Sequence, residues 1–314
     1  HPRAMMAASA LMALAASVAS ADSFPSRHMR VVTSQPGGLN DLTSRVVAEP
    51  LTRALGRQVI VDNRGAVAID IVAKAPADGH TILCYANNFW LLPFLQDKAS
   101  FDPIRDFAPL TLAVTAPNVL VVHASLPASS VKELIAIAKS RPGALNYGAG
   151  ATGGTPHLAG ELFKAMAGVD IVHIGYKGTG PAIAALVSGE THMMFAGPGS
   201  VDAHVRSGRL KALGVTSRAP SPLAPGLPTL SESGLPGYEA TAMIAFLAPA
   251  GTPPAIVTRV SQEIVKVLHS PEVKEKLLAA GTEVAATSPA GLTQIMKSEM
   301  ARWEKVIRQS AIRM

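Results

Sequence analysis

Gly148-Ala149-Gly150-Ala151-Thr152-Gly153 has the G-x-G-x-x-G spacing of a glycine-rich turn between a strand and a helix. Such a turn lets main-chain N–H groups approach a phosphate or carboxylate at the positive end of the helix dipole. A dinucleotide site would also need an acid at the end of the next strand to hold a ribose hydroxyl. Asp170 lies near the required distance but precedes that strand, which ends in Gly175-Tyr176-Lys177. Nicotinamide binding is therefore disfavoured, and anion binding remains. A second loop with adjacent glycines, Pro36-Gly37-Gly38 followed by Asp41, opens another predicted helix. Two such loops across a cleft could hold the two ends of a small dianion. Each alone also fits a plain turn in which glycine serves only the backbone angles.

Other chemical patterns are weaker. His157 and Glu161 stand four apart on a predicted helix, but no third ligand is near, so capping or packing is expected and no metal site. Ser129-x-x-Lys132 has the spacing of a penicillin-type nucleophile, yet the companion Lys-Thr-Gly is absent, and Ser129 or Ser130 suits a helix cap. There is no G-x-S-x-G elbow, P-loop or H-E-x-x-H, and the nine histidines are scattered. No catalytic residue and no cofactor is expected. The single cysteine, Cys84, sits in the apolar run Thr81-Ile82-Leu83-Cys84-Tyr85 and reads as a buried core thiol.

The elements that must position these loops follow from periodicity. The 314 residues are 48% hydrophobic and 16% charged, enough for a sizeable core and incompatible with global disorder. With 4% aromatics, 26 Gly and 24 Pro, the composition favours an α/β chain with many tight turns. The net charge of +6 suits anionic ligands, and no basic run points to nucleic acid. Strands are predicted at 29–33, 58–62 and 81–85, with helices after the first two, a β-α-β-α-β order that implies a parallel sheet. A second unit follows: a strand at 117–123, a helix at 130–140, then alternating strands and helices to 216. A strand near Phe246 and helices at 254–268 and 298–310, with shorter helical segments at 271–280 and 289–297, close the chain.

Residues 1–21 read as a secretory signal. Arg3 precedes a short apolar stretch, and Ala19-Ser20-Ala21 supplies small residues for cleavage. The stretch is shorter than a spanning helix needs, so the protein is expected to be exported and not membrane-embedded.

Many segments, in order, resemble the Bug-type solute receptors of tripartite tricarboxylate transporters. They include Phe24-Pro25-Ser26-Arg27, Pro36-Gly37-Gly38 with Asp41, Val61-Asp62-Asn63-Arg64 and Ala73-Lys74-Ala75-Pro76-Ala77-Asp78-Gly79. Further on come Pro156-His157-Leu158-Ala159-Gly160-Glu161-Leu162-Phe163, Tyr176-Lys177-Gly178, Gly234-Leu235-Pro236-Gly237-Tyr238 and Leu247-Ala248-Pro249-Ala250-Gly251-Thr252-Pro253. The resemblance implies a periplasmic-binding-protein-like α/β fold: two α/β domains joined by two crossover strands, closing on a ligand in the cleft. It implies a signal peptide at 1–21, one domain from 22–119 and 245–314, and a second from 120–244.

It also implies a carboxylate gripped by Gln35, Gly37, Gly38, Leu39 and Asn40 on one side and by Ala151, Thr152, Gly153, Gly154 and Thr155 on the other. Ala86, Asn87, Ala196 and Gly197 would add contacts. A periplasmic monomer that delivers its ligand to membrane transporter subunits is the implied role. A periplasmic ligand sensor is the alternative, with a secreted hydrolase on the same fold behind it. Three departures stand out. Leu39 occupies a position usually held by a hydroxyl residue, the loop after Arg64 is shorter than usual, and Ala196-Gly197 replaces the acid that pairs an ammonium in amine-binding members. Leu39, Phe89, Trp90 and Phe246 fit either an apolar ligand wall or core packing.

Overall fold

The computed structural model describes residues 24–96, 99–150 and 153–309. The expected signal segment lies outside the described residues. The chain begins with β1 (Met29–Thr33), α1 (Leu39–Leu55), β2 (Val59–Asn63), α2 (Ala68–Ala73), β3 (Thr81–Ala86), α3 (Asn88–Leu95) and β4 (Phe107–Ala116). It continues with β5 (Val119–His123), α4 (Val131–Ser140), β6 (Leu145–Ala149), α5 (Thr155–Ala167), β7 (Ile171–Gly175), α6 (Thr179–Ser188), β8 (Met193–Ala196), α7 (Pro198–Arg206) and β9 (Leu210–Val215). It ends with β10 (Ala242–Pro249), α8 (Pro254–His269), α9 (Pro271–Ala279), β11 (Glu283–Val284) and α10 (Pro289–Gln309).

These strands make two sheets, ordered β11-β4-β10-β3-β1-β2 and β7-β6-β8-β5-β9. The β1–β2 and β1–β3 pairs are parallel, as the β-α-β pattern requires. Both sheets are nevertheless mixed. β10 enters the first sheet antiparallel between β3 and β4, and β5 lies antiparallel between β8 and β9. The reason is connectivity: strands reached by crossing between sheets need not follow the right-handed parallel crossover that a helix imposes.

Two crossings join the sheets. The strand read from sequence at 117–123 starts two residues later, at Val119, because Pro117-Asn118 carries the chain from β4, which was not foreseen, to β5. Proline carries no N–H and cannot continue the ladder there. The chain returns through residues 216–241. The crossings are tied to each other: the Asn118 N–H donates to Thr216 Oγ1 at 2.8 Å, and the Thr216 N–H donates to the Asn118 carbonyl at 2.8 Å.

Alternation along the strands divides the core. Met29, Val31, Ile82, Cys84 and Phe246 face one side and pack with Val47, Leu51, Val260 and Ile264 from α1 and α8. Val32, Leu83, Tyr85 and Leu247 face the other, in a core that runs through Trp90 and Trp303 to Leu120, Tyr147 and Phe195 of the second sheet. Phe89, Trp90 and Phe246 are therefore core residues, not a ligand wall. At the C-terminal end, α10 is continuous across 289–309. The sequence reading split it at Ser298, whose hydroxyl simply donates back to the Ile295 carbonyl at 3.0 Å.

Cys84 is fully buried, and burial pushes its thiol up to about 12. Since the thiolate is the reactive form, an aromatic disulfide reagent is expected to leave the native protein unlabelled and to titrate one thiol after denaturation. Rapid labelling of the native protein would contradict this placement.

Candidate functional site

Each strand-to-helix loop is shaped by a side chain from the helix it opens. In the first, Gly37 adopts φ +86°, and its N–H donates to Asp41 Oδ2 at 2.9 Å. Asp41 Oδ1 accepts from Arg45 Nε and from Asn63 Nδ2, both at 2.9 Å. Asn63 Nδ2 also reaches the Ser34 carbonyl at 2.9 Å, and Asn40 Nδ2 donates to Ser34 Oγ at 3.0 Å. Burial pushes the Asp41 carboxyl up, but the hydrogen bonds from Gly37, Asn63 and Arg45 outweigh it and hold the group below the usual carboxylate range.

In the second loop Gly153 adopts φ +75°, and its N–H donates to His157 Nδ1 at 3.0 Å. Ala151 and Thr152 lie outside the described residues. Gly150 is pressed against the next loop, where a Cβ would stand 2.9 Å from the Gly178 carbonyl carbon. The expected capping role of the 129–133 segment is seen as well. Ser130 Oγ accepts the Glu133 N–H at 3.2 Å, and Glu133 Oε2 accepts the Ser129 N–H at 2.6 Å.

Between the two sheets lies a cavity of about 970 Å³. Four helices present their N-terminal turns to it: α1 with Leu39, α5 with Thr155 and Pro156, α6 with Thr179, and α7 with Pro198, Gly199 and Ser200. The crossing residues Pro117 and Asn118, with Ala116 and Ala242, form another wall. Residues 223–225, 227 and 278–281 enclose the far side. There Ser221 Oγ donates to Glu283 Oε1 and links the loop after β9 to β11. Among the described lining residues Asp202 alone is ionisable, and it pairs with Arg206 at 2.7 Å. No Lys or Arg belongs to that lining. Four helix N-termini turn the positive ends of their dipoles to this lining, with hydroxyls on Thr155 and Thr179; the C-terminal turn of α9 opposes them at the far wall, and the Ser200 hydroxyl donates to the Gly197 carbonyl at 2.7 Å.

The expected contact residues fall into three groups. Leu39, Thr155, Ala196 and Gly197 line the cavity. Gly38 and Gly154 are the N-caps of α1 and α5, while Gly37, Asn40 and Gly153 brace the loops behind them. Gln35 packs against Gly65, where a Cβ would lie 2.4 Å from its Nε2. Asn87, which follows Ala86 at the end of β3, is buried and turned to the return crossing. Its N–H donates to the Met243 carbonyl at 2.8 Å, and its Nδ2 donates to the Thr241 carbonyl at 3.1 Å. Asn118, Thr179 and Ser200 were not foreseen. A hydroxyl in the first turn of a helix was the available signal for the last two.

The helix behind the second loop carries a buried polar chain. Tyr147 Oη donates to Glu161 Oε1 at 2.8 Å, and Lys164 Nζ donates to the same oxygen at 2.9 Å. The His157 and His173 rings lie against each other, tilted by 32°, with centroids 4.2 Å apart. Burial, with His173 beside it, lowers His157 to about 4, and burial also lowers His173. A histidine lowered by folding binds protons better in the unfolded chain, so its stabilisation is complete above about pH 6.5 and declines as pH falls toward 4. Burial raises Glu299 to about 6, which acts oppositely over part of this window, so the test is a difference. Urea unfolding of wild type and His157→Asn is expected to show a stability gap that narrows from pH 7.5 to pH 4.5. A gap independent of pH would contradict the assignment.

Residues 43–312 match the family described as "Tripartite tricarboxylate transporter family receptor". Protein BugT of Bordetella pertussis is 34% identical over 94% of this chain and 93% of its own. Among solved structures, R. palustris Rpa4515 with adipate is 34% identical, with a TM-score of 0.74 over 92% of this chain and 98% of that one. MatC (Rpa3494) from Rhodopseudomonas palustris with bound malate is 28% identical, with a TM-score of 0.71 over 90% of this chain and 100% of that one.

Proposed function

The chain belongs to the tripartite tricarboxylate transporter receptor family, and from that premise we propose that it captures a small organic carboxylate in the cavity between its two sheets. The observation that carries the reading is the convergence of the α1, α5, α6 and α7 N-termini on one cavity whose described lining lacks a cationic side chain. Helix ends and hydroxyls can neutralise a carboxylate without the desolvation cost of a buried Lys or Arg. Adipate and malate in the two related structures support the same ligand class. The absence of an acid at Ala196-Gly197 disfavours an amino-acid ligand.

The domain division fits this use. One lobe would carry the first sheet, through β4 and again from β10, and the other the second sheet, β5 to β9, with Pro117-Asn118 and residues 216–241 as the hinge. The signal at residues 1–21 would place the mature chain in the periplasm, as a monomer that hands its ligand to membrane subunits of a tripartite tricarboxylate transporter. Among the described residues no helix is long and apolar enough to cross a membrane.

Leu39 faces the cavity where a hydroxyl is usual, so a ligand hydroxyl held there would lack a partner. Adipate is therefore expected to bind more tightly than malate. A thermal-shift screen over mono- and dicarboxylates and their matched amides tests the proposal. Stabilisation by at least one acid and not by its amide supports it; stabilisation by neutral or amino compounds alone overturns it.

A further inference from the structure

We propose that His157 is a positioning residue of the second loop, fixing the left-handed turn at Gly153 from which α5 presents Thr155 to the cavity. It follows that the Gly153 amide is not a ligand donor. The inference rests on the carboxylate reading only in treating the cavity as the ligand site.

Three observations carry it. The Gly153 N–H is committed to His157 Nδ1 at 3.0 Å in a buried setting. His157 is 5% exposed and held by its neighbours: the His173 ring lies against it at 4.2 Å, tilted by 32°, and the Tyr147 ring lies parallel within 16° at 6.4 Å. The first loop uses the same spacing, with the Gly37 N–H accepted by Asp41 four residues on. Gly37-x-x-x-Asp41 and Gly153-x-x-x-His157 are thus equivalent braces, each setting a glycine at positive φ before a helix.

The choice of acceptor matters. Asp41 brings a negative charge to the first turn of α1, and that charge is paired by Arg45 at 2.9 Å. A neutral imidazole braces the α5 loop and leaves the positive end of that helix uncancelled. Accepting at Nδ1 requires the proton on Nε2. Protonating Nδ1 would set two donors face to face and release Gly153. The charged and titratable groups around the ring are His173 on β7, Tyr147 on β6, and Glu161 and Lys164 on α5. Burial and His173 keep the imidazole neutral at ordinary pH.

Nitrogen-15 NMR of the ligand-free protein tests the proposal, so its failure is separable from failure of the carboxylate reading. The expected spectrum has an unprotonated Nδ1 on His157 and a protected Gly153 amide. Exchange of that amide should accelerate at least tenfold in His157→Leu and recover in His157→Asn, whose Oδ1 can take the place of Nδ1. The core amides of Ile82 and Val121 should not change. A proton on Nδ1 in the wild type, or unchanged Gly153 exchange in His157→Leu, overturns it. The wild-type spectrum decides the question if the leucine variant does not fold.

Discussion

Asp41→Ala is expected to weaken carboxylate binding at least tenfold, about 1.4 kcal/mol, while the protein still folds. Its carboxylate accepts from Gly37 N–H, Asn63 Nδ2 and Arg45 Nε at once, so one substitution removes the brace of the first loop and the tie from that loop to β2. Hydrogen bonds to a charged group contribute about 1.5–3 kcal/mol each when buried. The Asp41 side chain is 8% exposed but Arg45 is 55% exposed, so screening discounts that bond. With the two remaining bonds taken at the low end, a stability loss of about 3 kcal/mol is expected, below the roughly 5–15 kcal/mol of a typical fold, so the native fold survives. Asp41→Asn keeps one acceptor oxygen and should fall between alanine and wild type. Calorimetry with the best acid of the panel, alongside urea unfolding, separates the two effects. Unchanged affinity in Asp41→Ala would show that the first loop does not shape the site.

The second large effect concerns packing. Gly160→Val is expected to lower the melting temperature by roughly 10 °C. A Cβ at Gly160 would stand 2.3 Å from Tyr147 Cε2 and 2.5 Å from Cζ, and the ring has no free space to enter because Tyr147 is fully buried. Displacing the ring pulls Tyr147 Oη from Glu161 Oε1. Overpacking costs about 1–3 kcal/mol and a lost buried hydrogen bond to a charged group about 1.5–3 kcal/mol. At roughly 2–4 °C per kcal/mol for a chain of this size, the sum gives the stated shift. Gly180→Ala is the control, because a Cβ there meets nothing within 4 Å. It should leave the melting temperature unchanged or slightly raised. Equal melting of wild type and Gly160→Val would refute the close approach.

What was legible in the sequence was local. Alternating apolar residues and glycine stops marked β1, α1, β2 and β3, and Ser130 marked the start of α4. The two glycine loops stood out because left-handed turns demand glycine at Gly37 and Gly153. α3 escaped notice because Asn88–Leu95 is apolar nearly all round and contains Pro93, so no 3.6-residue stripe of apolar against polar residues appears. Asn87 was assigned to the ligand on the family resemblance. Its partner, the Thr241 carbonyl, lies 154 residues away, and no local pattern records that. The far wall at residues 278–281 was invisible for the same reason: it reaches the cavity only after α8 and α9 fold back on the first sheet. Of the two braces, Asp41 was noted after the first glycine pair and His157 was given a capping or packing role. Their donor and acceptor roles required the geometry.

The central claim is that helix N-termini hold a negatively charged ligand between the two sheets. Calorimetric titration of adipate against its diamide, at low and high salt, tests it most directly. The account predicts that adipate binds, that the diamide does not, and that affinity falls modestly as salt rises. Equal binding of the two compounds, or no binding of adipate or of any other acid in the panel, would contradict it.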